Sequence, residues 1–243
     1  MNILVIGDSC IDVFRYGTIN RLAPEAPVPV IKPIYQKENP GMAANVVANL
    51  KALGAEVDLI TNEDTIRKIR YVDERYNQMV LRVDENDTCQ PVGKIEIEMG
   101  KYDAIIISDY CKGFLSEEII KSVSKTKECP VFLDTKKQLG TWCENIDFIK
   151  INHLEHLRNF ERIPTYPKLE EKIIVTRGKD GCEHKGKTYP TQEVPVKDVS
   201  GAGDTFISGL VYEYVKSKNI EKAINFAQEC TTIVVQKTGV ATI

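Results

Sequence analysis

Val199-Ser200-Gly201-Ala202-Gly203-Asp204-Thr205-Phe206 is the stretch on which the fold turns. Three small residues run directly into a carboxylate and then into a segment with the apolar spacing of a helix. Such a turn can aim bare backbone N–H groups, backed by the positive end of a helix, at a phosphate. A hydroxyl attacking a γ-phosphoryl group needs a base near its proton and donors around the phosphate oxygens. Asp204 is a candidate for the base, and Gly201, Ala202 and Gly203 for the donors. An N-cap aspartate on an ordinary helix is the plainer reading of the same residues.

Upstream of that turn the chain has an α/β rhythm. Residues 3–6 form a short apolar run closed by Gly7-Asp8, as a buried parallel strand would. Gly41-Met42-Ala43-Ala44-Asn45 leads into a helix that Gly54 stops, and residues 57–60 read as the next strand. Residues 104–107 end in Ser108-Asp109-Tyr110-Cys111-Lys112-Gly113, and Ser116 can cap a helix through Lys125. Runs at 131–133, 148–151 and 173–176 end at Asp134, Asn152 and Arg177-Gly178. Polar residues thus gather at strand C-termini, the edge at which open α/β sheets carry their sites. Helices are expected near 205–216 and 220–235. Two segments break the rhythm, about 13–37 and 66–85, one proline-interrupted and one alternating charged with β-branched residues. Together they are expected to form a small β lid within a single domain spanning 1–243.

At 243 residues, 42% hydrophobic and 28% charged, the chain can bury one sizeable core. A net charge of -3 argues against a broad nucleic-acid footprint, although Arg67-Lys68-Ile69-Arg70 could meet an anionic metabolite. Seven scattered cysteines without a CxxC pair read as free thiols in a reducing compartment. The N-terminus lacks a basic leader and no apolar run is long enough to span a bilayer, so a cytoplasmic location without membrane attachment is expected.

Asp12 can accept hydrogen bonds from two hydroxyls of a polyol, or serve as a loop or cap residue. Asn45 can bond a sugar hydroxyl or brace the Gly41 turn. Asn152 and Glu155, three apart after a strand, share a helical face and could hold water around a magnesium ion, or be a plain surface pair. Thr176-Arg177-Gly178 and Gly181 form a strand-end turn and hairpin that could cover nucleotide phosphates, or simply reverse the chain. The sequence contains neither GxxxxGK[ST] nor a GxGxxG after the first strand, which disfavours Walker-type and nicotinamide-cofactor sites.

These motifs resemble those of the ribokinase-like (PfkB) carbohydrate kinases over nearly the whole chain. They include Gly7-Asp8 with Asp12, the run from Arg21 to Val30, Gly41 to Asn45, Val72 to Arg75 and Leu81 to Asp84. Ser108-Asp109-Tyr110 with Lys112-Gly113, Asp134 with Lys136, Asn152 with Glu155, Thr176 to Gly178, Gly201 to Asp204 and Gly239 to Thr242 follow. Within the family the chain most resembles the D-glycero-β-D-manno-heptose-7-phosphate kinases. The resemblance implies a three-layer α/β/α sandwich with a β lid, and ATP with Mg2+ as donor. It implies Asp204 as catalytic base and Gly201 to Gly203 as anion hole. Asp12, Gly41 and Asn45 would bind the sugar, with Asp109 and Lys112 near the acceptor or the phosphates. Asn152 and Glu155 would serve the magnesium, through water, and the phosphates; Thr176, Arg177, Gly178 and Gly181 would approach ATP. Arg15, Arg21, Lys68, Arg70 and Arg82 become candidates to clamp an acceptor phosphate. Pairing through the lid would give a homodimer. A kinase for another sugar or sugar phosphate, and a non-catalytic binding protein of the same fold, remain the alternatives. Two departures stand out. Met42 replaces the second glycine usual before Ala-Ala-Asn, and only residues 61–65 separate the strand at 57–60 from the second lid segment, so the sheet is expected to be one βα unit shorter than usual.

Overall fold

The computed structural model describes residues 1–98 and 100–243. In chain order its elements are β1 (Asn2–Gly7), β2 (Ser9–Leu22), β3 (Pro29–Met42), α1 (Ala43–Ala52), β4 (Glu56–Thr61), β5 (Ile66–Asp73), β6 (Gln78–Glu85), β7 (Ala104–Asp109), α2 (Glu117–Lys125), β8 (Val131–Thr135), β9 (Phe148–Asn152), α3 (His153–Asn159), α4 (Pro167–Glu170), β10 (Ile173–Thr176), β11 (Cys182–His184), β12 (Lys187–Tyr189), α5 (Ala202–Ser217) and α6 (Ile220–Val234).

Eight strands form the main sheet in the order β12-β11-β10-β9-β8-β7-β1-β4. Neighbours from β4 to β10 run parallel, and β11 and β12 close one edge as an antiparallel hairpin. Ile3 and Val5 of β1 point into one core with Val46, Leu50, Ile207, Leu210 and Ile224 from α1, α5 and α6. Leu4 and Ile6 point the other way, into a second core with Ile107 and with Ile120 and Val123 of α2. Burial on both faces is why these strands read as unbroken apolar runs rather than alternating ones. The result is the expected three-layer α/β/α sandwich. Ser116 caps α2 by accepting from Ile119 N at 3.3 Å, with Glu117 and Glu118 in the first turn.

The second sheet has the order β3-β2-β5-β6. The segments 13–37 and 66–85 fall in it, but its strands begin at Ser9 and reach Met42. Asp12 and Gly41 are therefore strand residues, not loop residues after β1. Asp12 sits in register with Asn39 of β3 and Lys68 of β5. The prolines at 29, 33 and 40 are confined to β3, an edge strand, where a missing N–H is tolerated. Between β4 and β5 there are four residues, too few for another strand and helix. Asn62 braces this link: its Oδ1 accepts from Ser9 N at 2.7 Å and its Nδ2 donates to Asp64 O at 2.6 Å.

Candidate active site

Helix α5 starts at the small-residue turn. Gly201 is its N-cap, with φ 80, in the left-handed region that favours glycine. A Cβ there would come within 2.7 Å of Asn45 Nδ2. Asp204, in the first turn, is buried at 3% exposure. Its Oδ2 accepts from Asn45 Nδ2 at 2.9 Å and its Oδ1 from the Tyr110 hydroxyl at 2.6 Å. Burial pushes its carboxyl up to about 6, against the pull of Tyr110 and Asn45, with the Asp134 charge adding to the rise and Lys150 opposing it. A carboxyl in that range can take a proton near neutral pH and is still largely ionised there.

Lys150, in the middle of β9, lies beside the turn: a Cβ on Gly203 would be 2.9 Å from its Nζ. Its Nζ donates to Asp134 Oδ2 at 2.8 Å. Burial works against the ammonium, yet Asp134, Glu155 and Asp204 together hold its pKa above the ordinary value. Sequence reading missed Lys150, because it sits inside an apolar run rather than at a strand end. It also missed that Tyr110, 94 residues from Asp204, reaches the carboxylate.

The second sheet presents Asp12, Lys68 and Asp84 in one register row, with Arg70 and Arg82 paired in the next position on the same face. A Cβ on Gly41 would lie 2.2 Å from Asp12 Oδ2, so only glycine lets this carboxylate stand where it does. Arg70 forms an ion pair with Asp12. Arg82 binds Asp84 with two bonds, at 2.6 and 2.8 Å. Burial lowers the Lys68 pKa, and among the described residues its ammonium has no ion-pair partner. A cavity of about 350 Å³ separates this face from the approach to Gly201; Phe14, Arg70, Arg82, Lys197, Asp198 and Ser200 help to line it. Arg15 is a correction. Its odd position puts it on the opposite face from Asp12, where its guanidinium donates to the Tyr71 hydroxyl at 2.9 Å.

Other expected residues have structural partners. Asp109, 1% exposed, accepts from Lys137 Nζ with both oxygens at 2.8 Å and from Thr135 Oγ1 at 2.6 Å. Lys112 Nζ donates to Asp87 Oδ2 at 2.5 Å. Asn45 is buried and braces Asp204. Asn152 and Glu155 form a capping box at the start of α3: Glu155 Oε2 accepts from Asn152 N at 2.7 Å and Asn152 Oδ1 from Glu155 N at 2.9 Å. One Glu155 oxygen is thereby engaged with the backbone at the start of α3. Among the described residues, no group of three or more His, Cys, Asp or Glu could hold a metal.

Thr176, Gly178 and Gly181 line a cavity of about 120 Å³ with Ala202, Gly203 and Phe206. Arg177 is turned elsewhere, to Glu183 at 2.7 Å and His153 Nδ1 at 3.1 Å. Gln228 of α6, which sequence reading did not single out, lines the same cavity. It is buried, and among the described residues neither its amide oxygen nor its nitrogen has a partner. An orphaned carboxamide offers one acceptor and two donors, the complement of a nucleobase edge.

The architecture is that of the ribokinase-like proteins. Ribokinase from Thermotoga maritima superposes with a TM-score of 0.72 at 19% identity, covering 98% of this chain and 94% of that one. Phosphofructokinase-2 from Escherichia coli gives 0.71 at 13% identity, covering 98% and 93%. The profile of the pfkB family carbohydrate kinases matches residues 60–243, and the chain belongs to that family. The bifunctional protein HldE of a Nitratiruptor species is 31% identical over 291 residues, covering 99% of this chain and 62% of the relative. HldE of a Marinomonas species is 31% identical over 294 residues, covering 100% and 62%. The chain thus spans less than two thirds of the length of these relatives. Both alignments are longer than the 243 residues here, so the relatives carry residues inside the shared stretch that this chain lacks.

Proposed function

We propose that this sugar kinase transfers the γ-phosphoryl group of ATP to D-glycero-β-D-manno-heptose 7-phosphate, at its anomeric hydroxyl, giving the 1,7-bisphosphate. The observation that carries the reading is Asp204: a buried carboxylate in the first turn of α5, directly after a small-residue turn whose Ser200 lines the cavity on the second-sheet side and whose Ala202 and Gly203 line the cavity at Gln228. The similarity to HldE supports the heptose acceptor.

In this reading the acceptor lies against Asp12 and the Arg70–Arg82 face, with its attacking hydroxyl toward Asp204. Asp204 takes the proton as the new bond forms. The N–H groups of Gly201 and Gly203 and the Lys150 ammonium stabilise charge on the transferring group, whereas the Ala202 N–H donates to Val199 O at 3.2 Å and closes the turn. Thr176, Gly178 and Gly181 flank the nucleotide, and the Gln228 carboxamide meets its base. Glu155 and Asn152 would hold magnesium through water; when bound, that ion neutralises phosphate charge. The second sheet acts as the lid that excludes water. A cytoplasmic homodimer, paired through that sheet, is the expected form.

The test is magnesium-dependent ADP release by the purified protein with the heptose 7-phosphate, ribose, fructose and fructose 6-phosphate in parallel. Turnover confined to the heptose phosphate and lost in Asp204→Asn supports both reaction and acceptor. Faster turnover of another sugar keeps the mechanism and removes the heptose assignment. ATP and sugar binding without ADP formation would make this a binding protein.

A further inference from the structure

Asp8 and Tyr110 have no role in the reaction described above, yet the fold invests heavily in placing them. Asp8, next after β1, is fully buried. Its Oδ2 accepts from the backbone N–H of Tyr110 at 2.7 Å and of Lys112 at 3.4 Å, and its Oδ1 from that of Phe114 at 3.3 Å. One carboxylate thus gathers three amides and fixes the loop that follows β7. Within that loop Cys111 has φ 56, a conformation that a non-glycine residue keeps only when its surroundings enforce it. The loop delivers the Tyr110 hydroxyl to Asp204 Oδ1 at 2.6 Å, the length of a charge-assisted bond. The Lys136 and Lys68 ammonium groups stand 4.3 and 5.3 Å from the centre of the tyrosine ring and hold it by cation–π attraction.

We propose that Tyr110 is a positioning residue for Asp204: docked by Asp8, its hydroxyl holds Oδ1 while Asn45 holds Oδ2, keeping the carboxylate ionised and aimed at the acceptor. The proposal rests on the reading of Asp204 as the base. The groups that face the pair are known. Asp134 and Cys10 bear on both side chains, Lys150 on Asp204, and Lys68 and Lys136 on the ring. Burial and the Asp134 charge disfavour the Asp204 anion, and Tyr110 is the first of the groups that oppose them. Burial also pushes the Tyr110 phenol well above its ordinary pKa, so it acts as donor and leaves the acceptor's proton to Asp204.

Tyr110→Phe removes one O–H and keeps the ring between its neighbours. The Asp204 titration is read by carbon-13 NMR of protein labelled at aspartate carboxyls, with Asp204→Asn identifying the signal. In Tyr110→Phe the midpoint is expected to rise by about one unit. The acid limb of kcat/KM follows it, so the loss relative to wild type is about fivefold greater at pH 6 than at pH 8.5. Asp8→Asn, which loosens the loop, is expected to move the midpoint in the same direction by less. An unmoved midpoint in Tyr110→Phe, or a loss of equal size at every pH, overturns the proposal. The NMR titration uses the free protein, so it still decides the role of Tyr110 if no acceptor is turned over and the kinase reading itself falls.

Discussion

Asp204 stands in surroundings that work against its own charge, and this has consequences for stability as well as for chemistry. Its folded-state value of about 6 lies above the ordinary 3.8, so the native protein holds this proton more tightly than the unfolded chain does. As pH rises through that interval the unfolded chain loses its proton first, stability falls, and it stays lower above pH 6. Asp204→Asn removes the penalty. The variant is expected to lose turnover by about 10²- to 10⁴-fold and to gain roughly 1–3 kcal/mol at pH 7. Urea melts check this: the gain should be present at pH 7 and largely lost by pH 4, as pH approaches the unfolded value. Met42 shows a second local conflict. It has φ 58 and ψ -131, a backbone conformation suited to glycine, and the resembled family has glycine there. Its side chain is buried against Cys10 and Ile66, the register row next to Asp12 and Lys68 on the same face. Met42→Ala keeps the strain and loses that packing, a cost of about 2–3 kcal/mol. Met42→Gly loses the same packing but relieves the strain, so it should be more stable than Met42→Ala by roughly 1 kcal/mol. Glycine is ordinarily the worse of the two, so denaturant melts of the pair give a clear sign.

At the scale of elements, α6 and α5 share the wall of the cavity that holds Gln228. If that cavity receives the nucleobase, Gln228→Leu should raise the KM for ATP about tenfold, the value of one or two hydrogen bonds, with the acceptor KM little changed. A rise in both constants would point to damaged helix packing instead. Most elements of the main sheet are legible in the sequence. β1, β7, β8, β9 and β10 are apolar runs with polar ends, and the start of α5 follows from its glycine turn. β2 is not, because in Ser9–Leu22 the charges Asp12, Arg15 and Arg21 fall at uneven spacing with no period-2 pattern, and the strand is buried on both sides for part of its length. That hid Asp12 inside a strand and left the facing of Arg15 undecided, since one position along a strand changes the face. The Asn152–Glu155 spacing fits both a capping box and a metal-facing pair; the backbone bonds form the capping box, which the sequence reading did not single out and which a water-mediated metal role would leave intact. Lys150 and Tyr110 reach Asp204 through tertiary contacts that no local pattern carries.

At the scale of the whole molecule, the second sheet is a projecting layer with two exposed edges, β3 and β6. It carries exposed Leu22 and Ile34 toward one edge and Met79, Val80 and Leu81 at the other. Exposed apolar side chains at both edges of one sheet make each edge a candidate contact surface. The partner we predict there is a second copy of the chain. Three prolines on β3 prevent that edge from extending into a continuous intermolecular ladder, so pairing would rest on side chains rather than on backbone bonds. Replacing such residues by aspartate should then dissociate the pair without unfolding the main sheet, whose two cores lie elsewhere. Sedimentation at micromolar concentration is expected to give a dimer for the wild type and a monomer for Ile34→Asp with Leu81→Asp, with unchanged helical circular dichroism. A monomeric wild type would leave the apolar strands to a role in closing over the acceptor. In that case the double variant would alter the acceptor KM and leave the sedimentation coefficient unchanged.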